Sequence, residues 1–346
     1  MFVPLLIASF ALNSPPSSPA TQSVEPKSTI SAVQAAILQG DGARARDLLA
    51  SLPTDLPDAK DRDFRACSLA RLDGPTSAVD GRTPAFTQRL LAIYHRYWRD
   101  SVMMPVDRDA AQDRFHNALA DLLEMPRSTA LDTITDRTKA RIEEAGFHAI
   151  TGKTGLLHDL IMWSKQADRL EVVPLPDGPI KTRVFYLDSF QSVGWANYLT
   201  CDRTGTGGWA TQEGLYVVVP SYDLKSEDFR VSFLAHESQH FSDYARFPGL
   251  ESWQLEYRAK LVELIYAGAT RERILTRFAN NQGNAPNEPH SYANRMLLAS
   301  LRRRLVIPVS GNLTSVSPAV LKDAALAEFR ADTASLSAKM VARPTK

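Results

Sequence analysis

Cysteine is scarce in this chain: Cys67 and Cys201 are the only two among 346 residues. They stand far apart and in no CxxC spacing, which excludes thiolate zinc and iron–sulfur sites and any disulfide-dense scaffold. In an oxidising compartment they would form one disulfide joining the helical N-terminal part to the central strands; two buried thiols are the alternative. An excess of either charge is also missing. Forty lysines and arginines face 39 acidic residues, a formal net charge of +1. With no basic stripe interleaved with aromatics, nucleic acid is not an expected partner. Arg302, Arg303 and Arg304 follow an apolar helical pattern and read as a favourable charge cluster at a helix C-terminus. The glycine-rich run Gly205–Thr211 has no phosphate-loop lysine and no GxGxxG helix after it, so it is expected to be a turn and an edge strand. No apolar run is long enough to cross a membrane. The first, Phe2–Leu12, is short and gives way to Ser/Pro-rich sequence through Ala20. Residues 1–20 are therefore expected to be an export signal, with Ser18-Pro19-Ala20 as a cleavage site, although no lysine or arginine precedes the apolar core. The expected location is periplasmic or secreted.

Histidine is also sparse, seven in all, yet two of them fall in Phe233-Leu234-Ala235-His236-Glu237-Ser238-Gln239-His240, an HExxH pattern within a helix-compatible run. Four residues apart on a helix is one turn, so His236 and His240 can present imidazoles to a single ion. Glu237 lies beside them, near enough to reach a water without being a ligand. Two neutral nitrogen ligands, an open position and a carboxylate base are what a metallohydrolase needs. The local context agrees. Gly214–Pro220 reads as a buried strand ended by proline, Ser226 as a helix cap, and Pro248-Gly249 as the break after about Phe247. Four of the other five histidines, His95, His116, His148 and His158, have no ligand spacing and are read as structural.

Catalytic zinc normally takes a third protein ligand. No histidine follows His240 until His290, so a carboxylate is required. Glu256 is the leading candidate: it lies one turn inside an amphipathic helix pattern starting near Ser252, with small Ala259 allowing close helix approach. Glu251 and Glu263 stay open as alternatives. Asp243, one turn beyond His240, is read as solvent-facing, with a contact to a ligand histidine as the other option.

With His236, Glu237, His240 and Glu256-Tyr257-Arg258-Ala259 in view, residues 180 to 300 resemble the gluzincins, thermolysin-like zinc peptidases whose third ligand is a glutamate on a second helix. Two departures stand out. The interval from His240 to Glu256 is short, and Lys260 occupies the place of the aspartate that orients a histidine in those enzymes. The resemblance implies a zinc ion as cofactor, Glu237 as general base, a peptide or protein substrate pairing with an edge strand around Trp209–Thr211, and an oxyanion donor from a later segment. His290 and Tyr292 are the candidates for that donor.

The expected fold class is α+β, mostly helical, with a small mixed or antiparallel sheet packed beside the HExxH helix. A linker at 21–27 leads into a helical region at 28–169, with helices at Ile30–Leu38, Ala43–Leu52, Phe86–Met103, Arg108–Glu124 and Ala130–Ala145 and a short one around Asp63–Leu69. Residues 170–346 are expected to form the zincin-like region, with strands at Lys181–Leu187, Gly194–Leu199 and up to Val219, then helices, the last over 318–340. The functional expectation is an exported zinc metallopeptidase. The alternatives are a non-catalytic exported helical binding protein with a structural or vestigial metal site, and a zinc hydrolase of non-peptide substrates. The sequence specifies neither a side-chain preference nor an oligomeric state.

Overall fold

Apolar residues spaced three and four apart build most of the molecule. The structure, a computed structural model, describes residues 26–74 and 83–341; the predicted export segment and nearly all of the predicted linker lie outside the described residues. The N-terminal part is α1 (Pro26–Leu38), α2 (Gly42–Ser51), α3 (Ala59–Asp73), α4 (Ala85–Met103), α5 (Arg108–Leu122) and α6 (Leu131–Glu144). Asp41 caps α2 by accepting the Arg44 N–H at 3.0 Å, and Gly40 makes the preceding turn with φ of +75°, a conformation that favours glycine. Leu90, Leu91, Tyr94 and Trp98 of α4 are buried at the centre of this half. The helix predicted around Asp63–Leu69 is longer, because Asp58 caps it earlier by accepting the Lys60 N–H.

The sheet follows: β1 (His148–Thr154), β2 (Leu157–Val173) and β3 (Ile180–Val193), then a short α7 (Trp195–Leu199), β4 (Gly208–Ala210) and β5 (Leu215–Val218). Its order is β1-β2-β3-β5-β4. Only the β3–β5 pair is parallel, so the sheet is mixed and the fold α+β. Two expectations change here. The sheet begins at His148, so a boundary at 169/170 cuts through β2; β1 beyond Ala149 and the outer half of β2 are largely exposed and carry no sustained apolar alternation. Gly194–Leu199 is a helix, not a strand. Gly194 turns the chain with φ of +94°, and the Asp159 carboxylate accepts the Trp195 N–H at 2.9 Å, starting a helical turn. The disulfide Cys67–Cys201 is formed. It ties α3 to the turn after α7 rather than to a strand.

Ser226 opens the HExxH helix, its hydroxyl accepting the Phe229 N–H at 3.1 Å. Phe229–Ala235 is wound as a π-helix and leads directly into α8 (His236–Arg246); such wide turns concentrate at functional sites. Phe229 and Phe233 pack on Val184, Leu215 and Val217 of the sheet, while Val231 and Ala235 join the helical core on the other side. That core comprises α9 (Ser252–Tyr266), α10 (Arg271–Asn280), α11 (Pro289–Leu305) and α12 (Pro318–Val341). The glycine-rich run has a steric cause: a Cβ at Gly208 would sit 2.3 Å from Phe233, and one at Gly207 2.3 Å from the Tyr222 hydroxyl. The run lies flat against the helix. No described helix is long and apolar enough to cross a membrane.

Glu227 anchors the start of this helix to the α9–α10 turn. Its carboxylate accepts the N–H groups of Gly268, Ala269 and Thr270 and the Thr270 hydroxyl, at 2.7 to 3.1 Å. Burial works to raise its pKa, but these bonds win and hold it at about 2. A depressed carboxylate pKa stabilises the fold above the unfolded value and loses that contribution as pH falls toward the folded one. Glu227→Ala should therefore cost about 1–2 kcal/mol at neutral pH, and the gap to the unaltered protein should narrow as pH drops from about 4.5 toward 2. Thermal melts of the two metal-free proteins across that range check it.

Candidate metal centre

His236 and His240 stand on consecutive turns of α8, and both Nε2 atoms point at α9. They lie 3.1 Å apart. Glu256 of α9 meets them, its oxygens 3.6 Å from His236 Nε2 and 3.3 Å from His240 Nε2. All three side chains are buried, and among the described residues they form the one group of three or more His, Cys, Asp and Glu that can hold a metal ion. Ligand atoms about 2.1 Å from a tetrahedral ion are about 3.3–3.4 Å apart. The nitrogen pair at 3.1 Å and the two nitrogen-to-carboxylate distances, 3.3 Å to Oε1 and 3.6 Å to Oε2 of Glu256, lie near that spacing, so the donor set fits an ion with one position left open.

Glu263 settles into a different role from coordination. It lies two turns along α9 from Glu256, on the same face, and accepts the N–H of His236 Nδ1 at 2.8 Å. Its other oxygen takes the Ser232 hydroxyl at 2.9 Å and Arg277 at 2.6 Å. A carboxylate behind a ligand histidine fixes the tautomer and ring orientation. Lys260 instead pairs with Glu256 Oε2 at 3.1 Å, with its ammonium 5.2 Å from the Phe278 ring. Glu251 is excluded as a ligand, because its carboxylate caps α9 in a reciprocal box with Gln254 and receives Trp253 Nε1. The cap of α9 is thus Glu251. Asp243 is neither solvent-facing nor bonded to a histidine: it is fully buried and accepts Arg258 Nε at 2.9 Å.

Of the two later-segment candidates, the structure brings one to the site. His290, at the start of α11, places Nδ1 2.8 Å from Glu256 Oε2 while remaining 67% exposed. Tyr292 turns away, packing edge-on against Trp253 at 5.2 Å with Arg295 over its ring. Sequence reasoning missed Tyr244. It is one turn beyond His240 and two beyond His236, so it continues the ligand face of α8; it is 42% exposed. Burial, then Glu237, then Glu256 push its phenol pKa up. Tyr222 closes the other flank of Glu237, its phenol driven to about 12 by burial first and the Glu237 charge second. The i+4 and i+8 spacing from the histidines was the available signal for Tyr244.

Comparison with known protein families, with curated proteins and with solved structures finds no match for this chain. The site therefore has to be read from its own chemistry. Two buried carboxylates face the imidazoles. Burial lowers the pKa of His236, but Glu256 and Glu263 outweigh it and raise it to about 10. Burial likewise opposes the ionised form of Glu256, yet the surrounding imidazoles hold its carboxyl far below the usual range. Positive charge is demanded at this point, and an ion must displace the proton that otherwise supplies it.

Two outcomes follow. A divalent ion binding at pH 7 to 8 should release about one proton, and its apparent affinity should rise about tenfold per pH unit until His236 is deprotonated near 10; indicator-dye titrations read both. Glu256→Ala should abolish stoichiometric binding, whereas Glu263→Gln should keep one site but weaken it about 10- to 100-fold, as measured against a competing chelator.

Proposed function

We propose that this protein is an exported zinc-dependent peptidase of gluzincin-like type. The observation that carries the reading is a single constellation: two imidazole nitrogens and a carboxylate converging from two helices, Glu263 behind His236, and Glu237 on the same helix as the histidines. A purely structural site would have no use for Glu237 at that position.

Bound by His236, His240 and Glu256, zinc would polarise the scissile carbonyl and bring the pKa of a water toward neutrality. Glu237 takes the proton from that water and returns it to the departing amine. Glu263 keeps the Nδ1 proton on His236, so that Nε2 stays a lone-pair donor toward the triad. Lys260 and His290 lie against Glu256 Oε2 and would hold that carboxylate in place beside the histidines. Tyr244 and His290 flank the triad and are the donors for the negative charge that develops on the carbonyl oxygen. Tyr222, wedged over Gly207 beside Glu237, limits the water that reaches the base.

The test is a pair of variants in the zinc-loaded protein. Glu237→Gln should retain one zinc per chain and lose turnover of peptides altogether; undiminished hydrolysis would remove the mechanism. Tyr244→Phe should keep its zinc and its melting temperature while kcat falls about 100-fold with little change in KM. Equal kcat values would remove Tyr244 from the reaction.

A further inference from the structure

α5 doubles back along α4, so that Phe115 packs on Tyr94 and Tyr97 and Arg114 faces Asp100. Between the two helices lies a cavity of about 520 Å³, within the roughly 300–1,000 Å³ of small-molecule sites. Its lining repeats at three and four, as one face of a helix does: Ile93, Arg96 and Tyr97 on α4, and Arg114, Phe115 and Ala118 on α5. The floor is apolar. Tyr97 and Phe115 stack at 4.4 Å and are each 3% exposed. The Tyr97 hydroxyl is engaged elsewhere, accepting the His158 N–H at 3.2 Å. Ala92, Ala111 and Ala118 leave open the space that longer side chains would fill.

The rim carries charge that the protein does not pair off. Asp121 holds Arg127 through two bonds, at 2.9 and 2.6 Å. Asp100 Oδ1 accepts both Nε and Nη2 of Arg99, at 3.1 and 2.8 Å. Arg96 of α4 and Arg114 of α5 are left over. They stand 3.7 and 3.9 Å from Asp100 Oδ2, beyond hydrogen-bond range, and neither has another acceptor among the described residues. Both reach toward one carboxylate oxygen, one from each wall, so a single anion can bridge the two guanidinium groups. The planar donor fork of arginine matches carboxylate and phosphate oxygens.

We propose that the α4–α5 groove is a binding site for a small amphipathic anion, a carboxylate or phosphate head on a flat apolar body. The head bridges Arg96 and Arg114, and the body lies over Tyr97 and Phe115 in the room left by the alanines. A neutral molecule of the same shape forfeits the charge-assisted bonds. A small hydrophilic anion forfeits the apolar floor. No residue of this groove belongs to the metal centre, and the site requires no hydrolysis.

The experiment titrates 2-naphthoate, its neutral counterpart 2-naphthamide, and acetate into the full chain by calorimetry. Four variants are compared: Arg96→Gln, Arg114→Gln, Ala118→Phe and, as a control for net charge, Arg303→Gln on exposed α11 surface. 2-Naphthoate should bind once per chain with a Kd below about 1 mM, about tenfold or more tighter than the amide or acetate. Its affinity should fall as salt rises, because the guanidinium groups are partly exposed. Arg96→Gln and Arg114→Gln should each weaken it about tenfold, Ala118→Phe should abolish it, and Arg303→Gln should leave it unchanged. Equal affinity for acid and amide, full affinity in both groove arginine variants, an equal loss in Arg303→Gln, or no saturable binding below about 1 mM overturns the site. If Ala118→Phe does not fold, the arginine variants, altered at exposed side chains, decide alone. Where 2-naphthoate binds, sedimentation with phosphatidylglycerol vesicles identifies the source of the head group. Co-sedimentation that 2-naphthoate reverses and Arg114→Gln removes places the anion on a lipid, and its absence places it on a free acid.

Discussion

The structure turns on two carboxylates buried on one face of α9. Glu256 and Glu263 sit two turns apart, each less than a tenth exposed, and an ionised carboxylate in such a place is costly without compensation. Every neighbouring feature answers that cost. His236 and His240 turn their rings toward Glu256, Lys260 and His290 approach its second oxygen, and Arg277 with Ser232 completes Glu263. A divalent ion in the triangle of ligand atoms would concentrate positive charge where the protein alone disperses it over several side chains. The cationic surroundings of the two carboxylates are thus an electrostatic requirement of the helix pair, and they leave three donors that could hold an ion.

For that balance to hold, α8 and α9 must stay at a fixed separation. Arg258 supplies the strut. It is fully buried, donates to Asp243 of α8 and Asp332 of α12, and lies between the rings of Phe247 and Phe329 at 5.1 and 4.4 Å. A planar guanidinium can bond along its edge and stack on both faces at once, which an ammonium cannot. The same turn of α9 therefore carries Glu256 of the triad and Arg258 of the charge clamp, whose partner Asp243 faces it from α8. On the sheet side, the glycines at 207–208 let the start of β4 pass against Tyr222 and Phe233 with no room for a Cβ.

What the chain disclosed in advance was whatever depends on spacing within one helix. His236, Glu237 and His240 are legible because four residues make a turn, and Glu256 because an amphipathic pattern places it on a buried stripe. Choosing between Glu256 and Glu263 was beyond the pattern, since both share a face and only the point where the helices cross decides which meets the histidines. Tyr244 obeys the same periodicity as the ligands and was within reach. Asp243 was misread because its partner Arg258 comes from another helix, and pairings between elements leave no periodic trace. Glu251 looked like a ligand candidate for want of knowing that Gln254 folds back on it. The strands from 148 onward went unread for a different reason: most of β1 and the outer half of β2 meet solvent on both faces while Leu157–Trp163 is buried on both, and neither situation leaves the alternation that marks a half-buried strand. Gly194–Leu199 failed because a six-residue apolar run suits either conformation.

The bond between Cys67 and Cys201 has one more implication, for how the protein would age among proteases. Those two sulfurs bracket over a third of the polypeptide, from α3 to the turn after α7. One backbone scission anywhere inside that bracket produces two pieces that remain tethered, so the damaged molecule keeps its mass and need not shed the half that carries the metal ligands. Only a reductant would reveal the nick.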